Sequence, residues 1–322
     1  MQNQLKLSVV APMFNEQDNV LTSFNLIREE LEKGNFDYEI IFVNDGSKDD
    51  TWKIANELAA KEERLKIVGY ATNQGRGKAI RTGIDAATGD IIATVDFDLS
   101  YSADHITRMV NTLVQEDNID TVLASCYMPG GQTIGIPPFR LFVSKVANHL
   151  YQHAFSQKIY TSTCVVRAYR AKAIQSLYLE SDDKEIHLEV ISKLIANGFK
   201  IKEIPGTLTS RQKGKSSFKF KSHSISHLLF FIHEKPFVVL GFISAFLTVV
   251  GLTFFSILLY TRFGEDAIFN ESLISKIASP NSVILLLVSA LQVGVVGFLG
   301  IQNSMLKKEM FKIQRLINEK KE

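Results

Sequence analysis

In the run Ile91-Ile92-Ala93-Thr94-Val95-Asp96-Phe97-Asp98, a strand-forming stretch ends in two carboxylates one residue apart. An unbroken run of β-branched and small residues, rather than an alternating one, marks a strand covered on both faces, as in a parallel sheet. Ligands of such sheets bind outside the carboxyl ends of the strands. Asp96 and Asp98 at that end offer hard oxygen donors, which suit Mg²⁺ or Mn²⁺ gripping a diphosphate.

The flanking sequence repeats this pattern. Segments 7–11, 38–43 and 65–70 read as further strands. Helical spacing through Val20, Leu21, Phe24, Ile27 and Leu31 predicts a helix over 18–33. Two more are predicted from about 49 to 61, where Asp49-Asp50-Thr51 supplies a cap, and over 77–87. Strands alternating with helices imply an α/β domain with a mostly parallel sheet and helices on both faces. From about 120 to 205 the pattern is less regular: a Gly/Pro-rich loop over 129–138, helices over 139–155 and 183–197, and a strand over 199–204.

Each of the first four strands is followed by a polar, turn-forming cluster. These are Pro12-Met13-Phe14-Asn15-Glu16, Asn44-Asp45-Gly46-Ser47, Asn73-Gln74-Gly75-Arg76-Gly77-Lys78-Ala79 and Asp96-Phe97-Asp98. A parallel sheet brings such clusters to one crevice. Glu16 and Asp45 can accept hydrogen bonds from a base or ribose, Gly75 and Gly77 permit close backbone approach, and Arg76 and Lys78 supply positive charge for phosphates.

The charge balance, 36 Lys and Arg against 34 Asp and Glu, gives no global field for nucleic acid. Cys126 and Cys164 lack metal-ligand spacing and read as buried residues of a reducing compartment. His105, His149 and His153 read as ordinary surface or core residues. The N-terminus lacks the pattern of a signal peptide, so the domain it opens is expected to stay in the cytosol. Two apolar, uncharged runs, 236–260 and 282–302, are long enough to span a bilayer. Basic residues flank them on the outside: Arg211, Lys213, Lys215, Lys219, Lys221 and Lys235 before, and Lys307, Lys308, Lys312, Arg315, Lys320 and Lys321 after. That asymmetry places both ends in the cytosol. The intervening loop carries the sequon Asn270-Glu271-Ser272, a triplet common by chance. Interleaved aromatic and basic residues over 217–235 fit an amphipathic helix in the headgroup layer. Gly294, Gly297 and Gly300 recur every third residue in the second run, suited to a close helix contact and hence to a homo-oligomer.

With these clusters, the chain resembles the family 2 glycosyltransferases, inverting enzymes with a GT-A nucleotide-sugar-binding domain. Within them it looks most like the polyprenyl-phosphate sugar synthases, such as dolichyl-phosphate mannose or glucose synthases and their bacterial relatives. Ala87-Thr88-Gly89-Asp90, Arg167-Ala168-Tyr169-Arg170 and the Arg211 to Ser216 loop extend the resemblance, which covers roughly 7–220. It implies that Pro12, Glu16 and Asp45 contact the nucleoside, within a nucleotide-sugar site that also takes in Phe14, Asn15, Ser47, Asn73, Gly75, Lys78 and Phe97. It implies that Asp96 and Asp98 bind metal and diphosphate. Arg140, Arg211 and Ser216 would face a phosphate of donor or lipid, and Glu189 would lie near the sugar. Two positions depart from the family pattern: Ser100 where Gln is common after the Asp pair, and Thr161 where relatives carry Asp. The Gln-x-x-Arg-Trp motif of processive synthases is absent.

The implied activity is transfer of one hexose from a UDP- or GDP-sugar to a polyprenyl phosphate at the cytosolic membrane face, with Mg²⁺ or Mn²⁺ as cofactor. Two alternatives stay open: transfer to a lipid hydroxyl with Glu189 as base, or a catalytically degenerate scaffold subunit. The expected organisation is a GT-A domain over 1–216, a connector over 217–235, a membrane hairpin over 236–303 and a basic tail over 304–322.

Overall fold

The computed structural model describes residues 5–34, 36–155, 157–210, 236–263 and 279–319. The chain divides into two compact units, one built on a seven-stranded sheet and one on a pair of long helices. In the first, strands β1 (Lys6–Met13), β2 (Asp37–Asp45), β3 (Leu65–Tyr70) and β4 (Ile91–Thr94) alternate with helices α1 (Val20–Lys33), α2 (Thr51–Ala59) and α3 (Arg76–Ala86). There follow α4 (Asp104–Gln115), β5 (Thr121–Ser125), β6 (Gln132–Ile134), α5 (Pro138–Ala154) and β7 (Arg167–Arg170). The domain then continues through α6 (Ala171–Gln175), α7 (Ile186–Ala196), β8 (Ile201–Pro205) and β9 (Thr207–Thr209).

The sheet order is β3-β2-β1-β4-β7-β5-β8, parallel except that β7 runs antiparallel to both β4 and β5. β6 and β9 form a separate parallel pair. Leu7, Val9, Val10 and Ala11 in β1, and Ile40, Ile41, Phe42 and Val43 in β2, are completely buried. Each large side chain among them contributes about 1.5–3 kcal/mol of burial free energy, and this covering of both faces explains the unbroken apolar runs. β1 pairs on one side from Lys6↔Asp37 to Met13↔Asn44 and on the other from Leu7↔Ile91 to Val10↔Thr94.

The inserted strand β7 was not predicted, because Arg-Ala-Tyr-Arg does not look like a core strand. Arg167 is nonetheless 1% exposed, since its guanidinium donates to the carbonyls of Ser162, Cys164 and His187. Arg170 donates to the carbonyls of Leu113, Glu116 and Ile119, closing the end of α4. Buried polar groups are tolerated when every donor finds an acceptor.

At the sheet edge opposite the strand tips, Glu39 ties β1, β2 and β4 together. One carboxylate oxygen accepts from Ser8 Oγ (2.6 Å), Thr88 N (2.8 Å) and Thr88 Oγ1 (2.8 Å). Ser8 Oγ in turn accepts from Gly89 N, and Lys6 N donates to Asp90. The Ala-Thr-Gly-Asp motif is thus a structural knot.

In the second unit, α8 (Pro236–Phe263) and α9 (Pro280–Glu319) contain two segments long and apolar enough to cross a membrane, Val239–Tyr260 and Pro280–Asn303. At 1.5 Å per residue these span about 33 and 36 Å, enough for the hydrocarbon core. Ser244 Oγ donates to the Ala290 carbonyl (2.8 Å), and a side-chain carbon on Gly294 would lie 3.1 Å from Ser244 Oγ. Gly294 therefore faces the other helix of its own hairpin. Gln292 is exposed on the outside. Helix α9 runs on to Glu319, so the second apolar segment and much of the basic tail are one helix. The 217–235 connector and the sequon loop lie outside the described residues.

Burial alone would raise the Glu39 carboxyl, but its bonds from Ser8 and Thr88 hold it below the ordinary value of 4.5. A depressed folded-state value contributes stability above about pH 4.5 that is lost as pH falls through the lower folded value. Glu39→Gln is expected to cost about 1 kcal/mol at pH 7, and less as pH falls through the folded-state value. Thermal midpoints of both proteins, measured across that range, should converge on acidification.

Candidate functional site

The sheet order sets the carboxyl ends of β3, β2, β1 and β4 side by side, and the four polar clusters sit there. The loops after β1 and β2 are knitted together. Asn15, with φ of 53°, donates its N–H to Ser47 Oγ (3.0 Å) and accepts from Lys48 N (2.8 Å). Glu16 N donates to Thr51 Oγ1 (2.7 Å), and the Glu16 carboxylate accepts from Asn19 (2.6 Å). Pro12 is half-buried in the tip of β1, and Phe14 is exposed beside it.

Asp45, 4% exposed, spends its carboxylate on the neighbouring loop. It accepts from the Asn73 side-chain amide (2.8 Å), Gln74 N (2.8 Å) and Gly75 N (3.1 Å). Asp45, expected at the nucleoside, also sets the shape of the 73–75 loop. The other side of this loop rests on residues 178–183. Lys78 N donates to the Asp182 carbonyl (3.1 Å). A side-chain carbon on Gly75 would lie 2.3 Å from that same oxygen, and one on Gly77 2.4 Å from the Ser181 carbonyl. Only glycine allows this approach, and φ of +102° at Gly75 demands it independently. The loop delivers the start of α3, whose N-terminal dipole favours an anion.

Asp96 and Asp98 are partly exposed at the end of β4, where Val95 N still donates to Val10 O (3.0 Å). Phe97, expected at the nucleotide, instead turns its ring inward. It is 4% exposed, its centroid lies 4.8 Å from that of Phe42, and its carbonyl accepts from Ser23 Oγ. Phe97 sits inside the turn that follows β4, and the turn directs its ring into the core. The turn closes through Leu99, at φ of 48° and with its N–H on the Asp96 carbonyl. Asn15 and Leu99 are the non-glycine residues at positive φ among those described, and both belong to this rim. Backbone held in such regions clusters at functional sites.

Ser100 donates both its N–H (3.1 Å) and its hydroxyl (2.7 Å) to Asp98 Oδ1. Ser100, where the family pattern has Gln, therefore buttresses a carboxylate. Thr161 is buried, bonded to Ser125 Oγ (2.7 Å), while Glu203 accepts from Tyr160 N and Thr161 N. Glu203 was not singled out in the sequence, where it reads as one charge in a strand.

Positive charge gathers around the carboxylates. Arg76 Nη1 lies 3.6 Å from Asp96 Oδ1. Burial, and then the field of Arg76, push the half-buried Lys184 ammonium below its ordinary value, and the field of Arg140 adds to this. Lys184 was missed, for a lone lysine ahead of a helix carries no motif. Arg140 is exposed on α5. Arg211 and Ser216 lie outside the described residues; β9, which precedes them in the chain, ends beside the acidic turn, where Thr209 N donates to Ser100 O (2.9 Å). His105 is buried and bridges the same elements, its Nδ1 donating to the Ser102 carbonyl and its Nε2 accepting from Thr207 N. Glu189, 11% exposed, lies on α7 and accepts from Glu180 N, Ser181 N and Lys193 Nζ.

Two oxygen-donor side chains side by side, with no third His, Cys, Asp or Glu completing a cluster among the described residues, fit a cation that keeps water and substrate phosphates as ligands. The donors are of the hard kind that Mg²⁺ and Mn²⁺ prefer.

The profile of glycosyl transferase family 2 matches residues 8–178. A dolichol-phosphate mannosyltransferase of Pyrococcus furiosus is 28% identical over 220 residues, covering 68% of this chain and 60% of that protein. The chain thus spans less than two thirds of that relative's length. A polyprenol monophosphomannose synthase of Mycolicibacterium smegmatis is 28% identical over 70% of this chain and 85% of its own. An undecaprenyl-phosphate 4-deoxy-4-formamido-L-arabinose transferase of an Enterobacter species is 28% identical over 80% and 76% respectively. Among solved structures, glucosyl-3-phosphoglycerate synthase of Mycobacterium tuberculosis, in complex with Mn²⁺, UDP-glucose and phosphoglyceric acid, superposes with a TM-score of 0.52. It is 18% identical over 70% of this chain and 79% of that one, so it shares the fold.

Asp45→Asn sets an NH₂ group against backbone donors. It is expected to destabilise the domain by about 2 kcal/mol, read as a lower denaturant midpoint with unchanged slope.

Proposed function

The chain belongs to glycosyl transferase family 2, and we propose that it moves one hexose from a UDP- or GDP-sugar onto a polyprenyl phosphate, with inversion, at the cytosolic membrane face. The observation that carries this reading is the crevice where Asp96, Asp98, Arg76 and the glycine-lined start of α3 converge. It pairs two carboxylates suited to a cation with an arginine and a helix N-terminus suited to a diphosphate. The named activities of the three relatives support a polyprenyl-phosphate acceptor. The two apolar helices support a membrane location, and the lysines outside them support cytosolic ends.

The acceptor chemistry is simple. A phosphate oxygen is already anionic at neutral pH and needs no strong base. It attacks the anomeric carbon in line, forming the new C–O bond as the bond to the nucleoside diphosphate breaks and that group leaves with the electron pair. The protein's work is alignment and neutralisation. The α3 N-terminus, Arg76 and Lys184 hold and neutralise the diphosphate, and Arg140 adds positive charge for the acceptor. A divalent cation held by Asp96 and Asp98 would neutralise further charge on the leaving group, as the Mn²⁺ complex of the structural neighbour supports. A lipid hydroxyl would require a base, and the carboxylate of Glu189 is already engaged by three donors.

Membranes containing the protein, supplied with labelled nucleotide sugars and Mg²⁺ or Mn²⁺, should label a lipid only when polyprenyl phosphate is present. A chelator should abolish transfer, and Asp98→Ala should lower it by about 10²–10³-fold. Label entering a lipid irrespective of polyprenyl phosphate would instead identify a hydroxyl acceptor, and nucleotide binding without transfer to any lipid a scaffold.

A further inference from the structure

We infer that Glu189, paired with Lys193, is a positioning residue for the diphosphate-binding loop 73–78, and not a group that exchanges a proton with substrate. This rests on the reading of that loop as part of the donor site.

Both oxygens of Glu189 turn back on their own chain. Oε1 accepts from Glu180 N (2.9 Å) and from Lys193 Nζ (2.6 Å), and Oε2 accepts from Ser181 N (2.8 Å). Glu189 and Lys193 stand one turn apart on α7, and their side chains are 11% and 9% exposed. Lys193 completes the clamp by donating to the Tyr178 carbonyl (2.5 Å). Residues 178–181 are thereby pinned to α7, by Glu189 in its first turn and Lys193 in its last.

The pinned segment is the seat of the loop. The carbonyls of Ser181, Asp182 and Asp183 close on Gly75 and Gly77 so tightly that any added carbon would lie 2.3–2.6 Å from them. The Asp182 carbonyl also takes Lys78 N, and its carboxylate pairs with Arg81 one turn further along α3. Arg81 Nη1 donates to the Leu179 carbonyl as well (3.0 Å). From the other side the loop is held by Asp45, through Gln74 N and Gly75 N. Between these anchors sits Arg76, whose guanidinium faces Asp96. A shift of 178–183 would carry the α3 N-terminus and Arg76 with it. The clamp thus acts on the diphosphate site through backbone, at one remove.

A general base must present an oxygen to the acceptor within hydrogen-bond reach. Burial alone would raise the Glu189 carboxyl, but the bonds from Lys193, Ser181 and Glu180 hold it below the ordinary value, away from the range of a base working near neutrality. Positioning accounts for all three bonds and proton transfer accounts for none.

The test uses full-length protein in detergent. Glu189→Gln and Lys193→Met should each weaken binding of UDP or GDP with Mn²⁺ by about tenfold, measured by calorimetry. At saturating donor, kcat should stay within about threefold, and the KM for polyprenyl phosphate should not move. The double variant should be no weaker than the weaker single one, because both break a single clamp. Amide exchange over 74–78 should accelerate about tenfold while β1 and β2 keep their protection, which separates lost positioning from unfolding. A fall in kcat of about a hundredfold or more in Glu189→Gln with nucleotide affinity intact would overturn the inference in favour of proton transfer. Unchanged exchange over 74–78 would overturn it outright. A wild-type protein that binds nucleotide but transfers nothing to polyprenyl phosphate would refute the proposed function alone, leaving affinity and exchange as the measure of the clamp.

Discussion

The double pairing of β1 is the constraint on which the site depends. Its backbone bonds to β2 on one side and to β4 on the other, in parallel and in register. Parallel neighbours end at the same edge, so burying one apolar strand between two others brings Asn15, Asp45 and the Asp96–Asp98 turn together from distant positions in sequence. Moving β4 by one residue would exchange its two faces and displace the Asp96–Asp98 turn that follows it, with Phe97 now packed on Phe42. The Glu39 knot at the far edge resists that slip by tying Ser8 and Thr88 to β2.

On this frame the crevice is shaped mostly by backbone held from behind. Several polar residues that look poised for a ligand also hold their neighbours in place. Asp45 is bonded to the 73–75 loop, Asn15 and Ser47 to each other, Ser100 to Asp98, and Glu189 to the chain ahead of α7. Such preorganisation suits chemistry in which charge is moved rather than protons, because fixed donors and cations need not reorganise as the leaving group departs. The field is local: Arg76 faces Asp96 and Lys184 follows the pinned segment, although the whole chain is almost neutral.

Buried polar chemistry also carries the irregular half of the domain. Arg167 and Arg170 at the two ends of β7, and Glu203 on β8, each satisfy several backbone groups of adjoining loops. These groups join the antiparallel strand and the 160–164 loop to the parallel core. Their cost in desolvation is offset only because the partners are complete.

The amino-acid order by itself determined the first four strands, the helices between them, the acidic pair, the glycines of the third cluster and the two long apolar segments. Each rests on a local rule: burial on both faces, helical period, backbone freedom or bilayer thickness. It did not reveal β7, whose arginines disguise a core strand. Nor did it reveal α4, although His105, Ile106, Met109, Val110 and Leu113 recur at helical spacing. Only the tertiary structure decided which internal partners the candidate site residues hold. Phe97, Asp45 and Glu189 stand within motifs that suggest direct contact, yet their partners come from segments 28 to 74 positions away, or from a loop folded back on its own helix. Hydrogen-bond saturation is a property of three-dimensional neighbours, and residue type and spacing do not encode it.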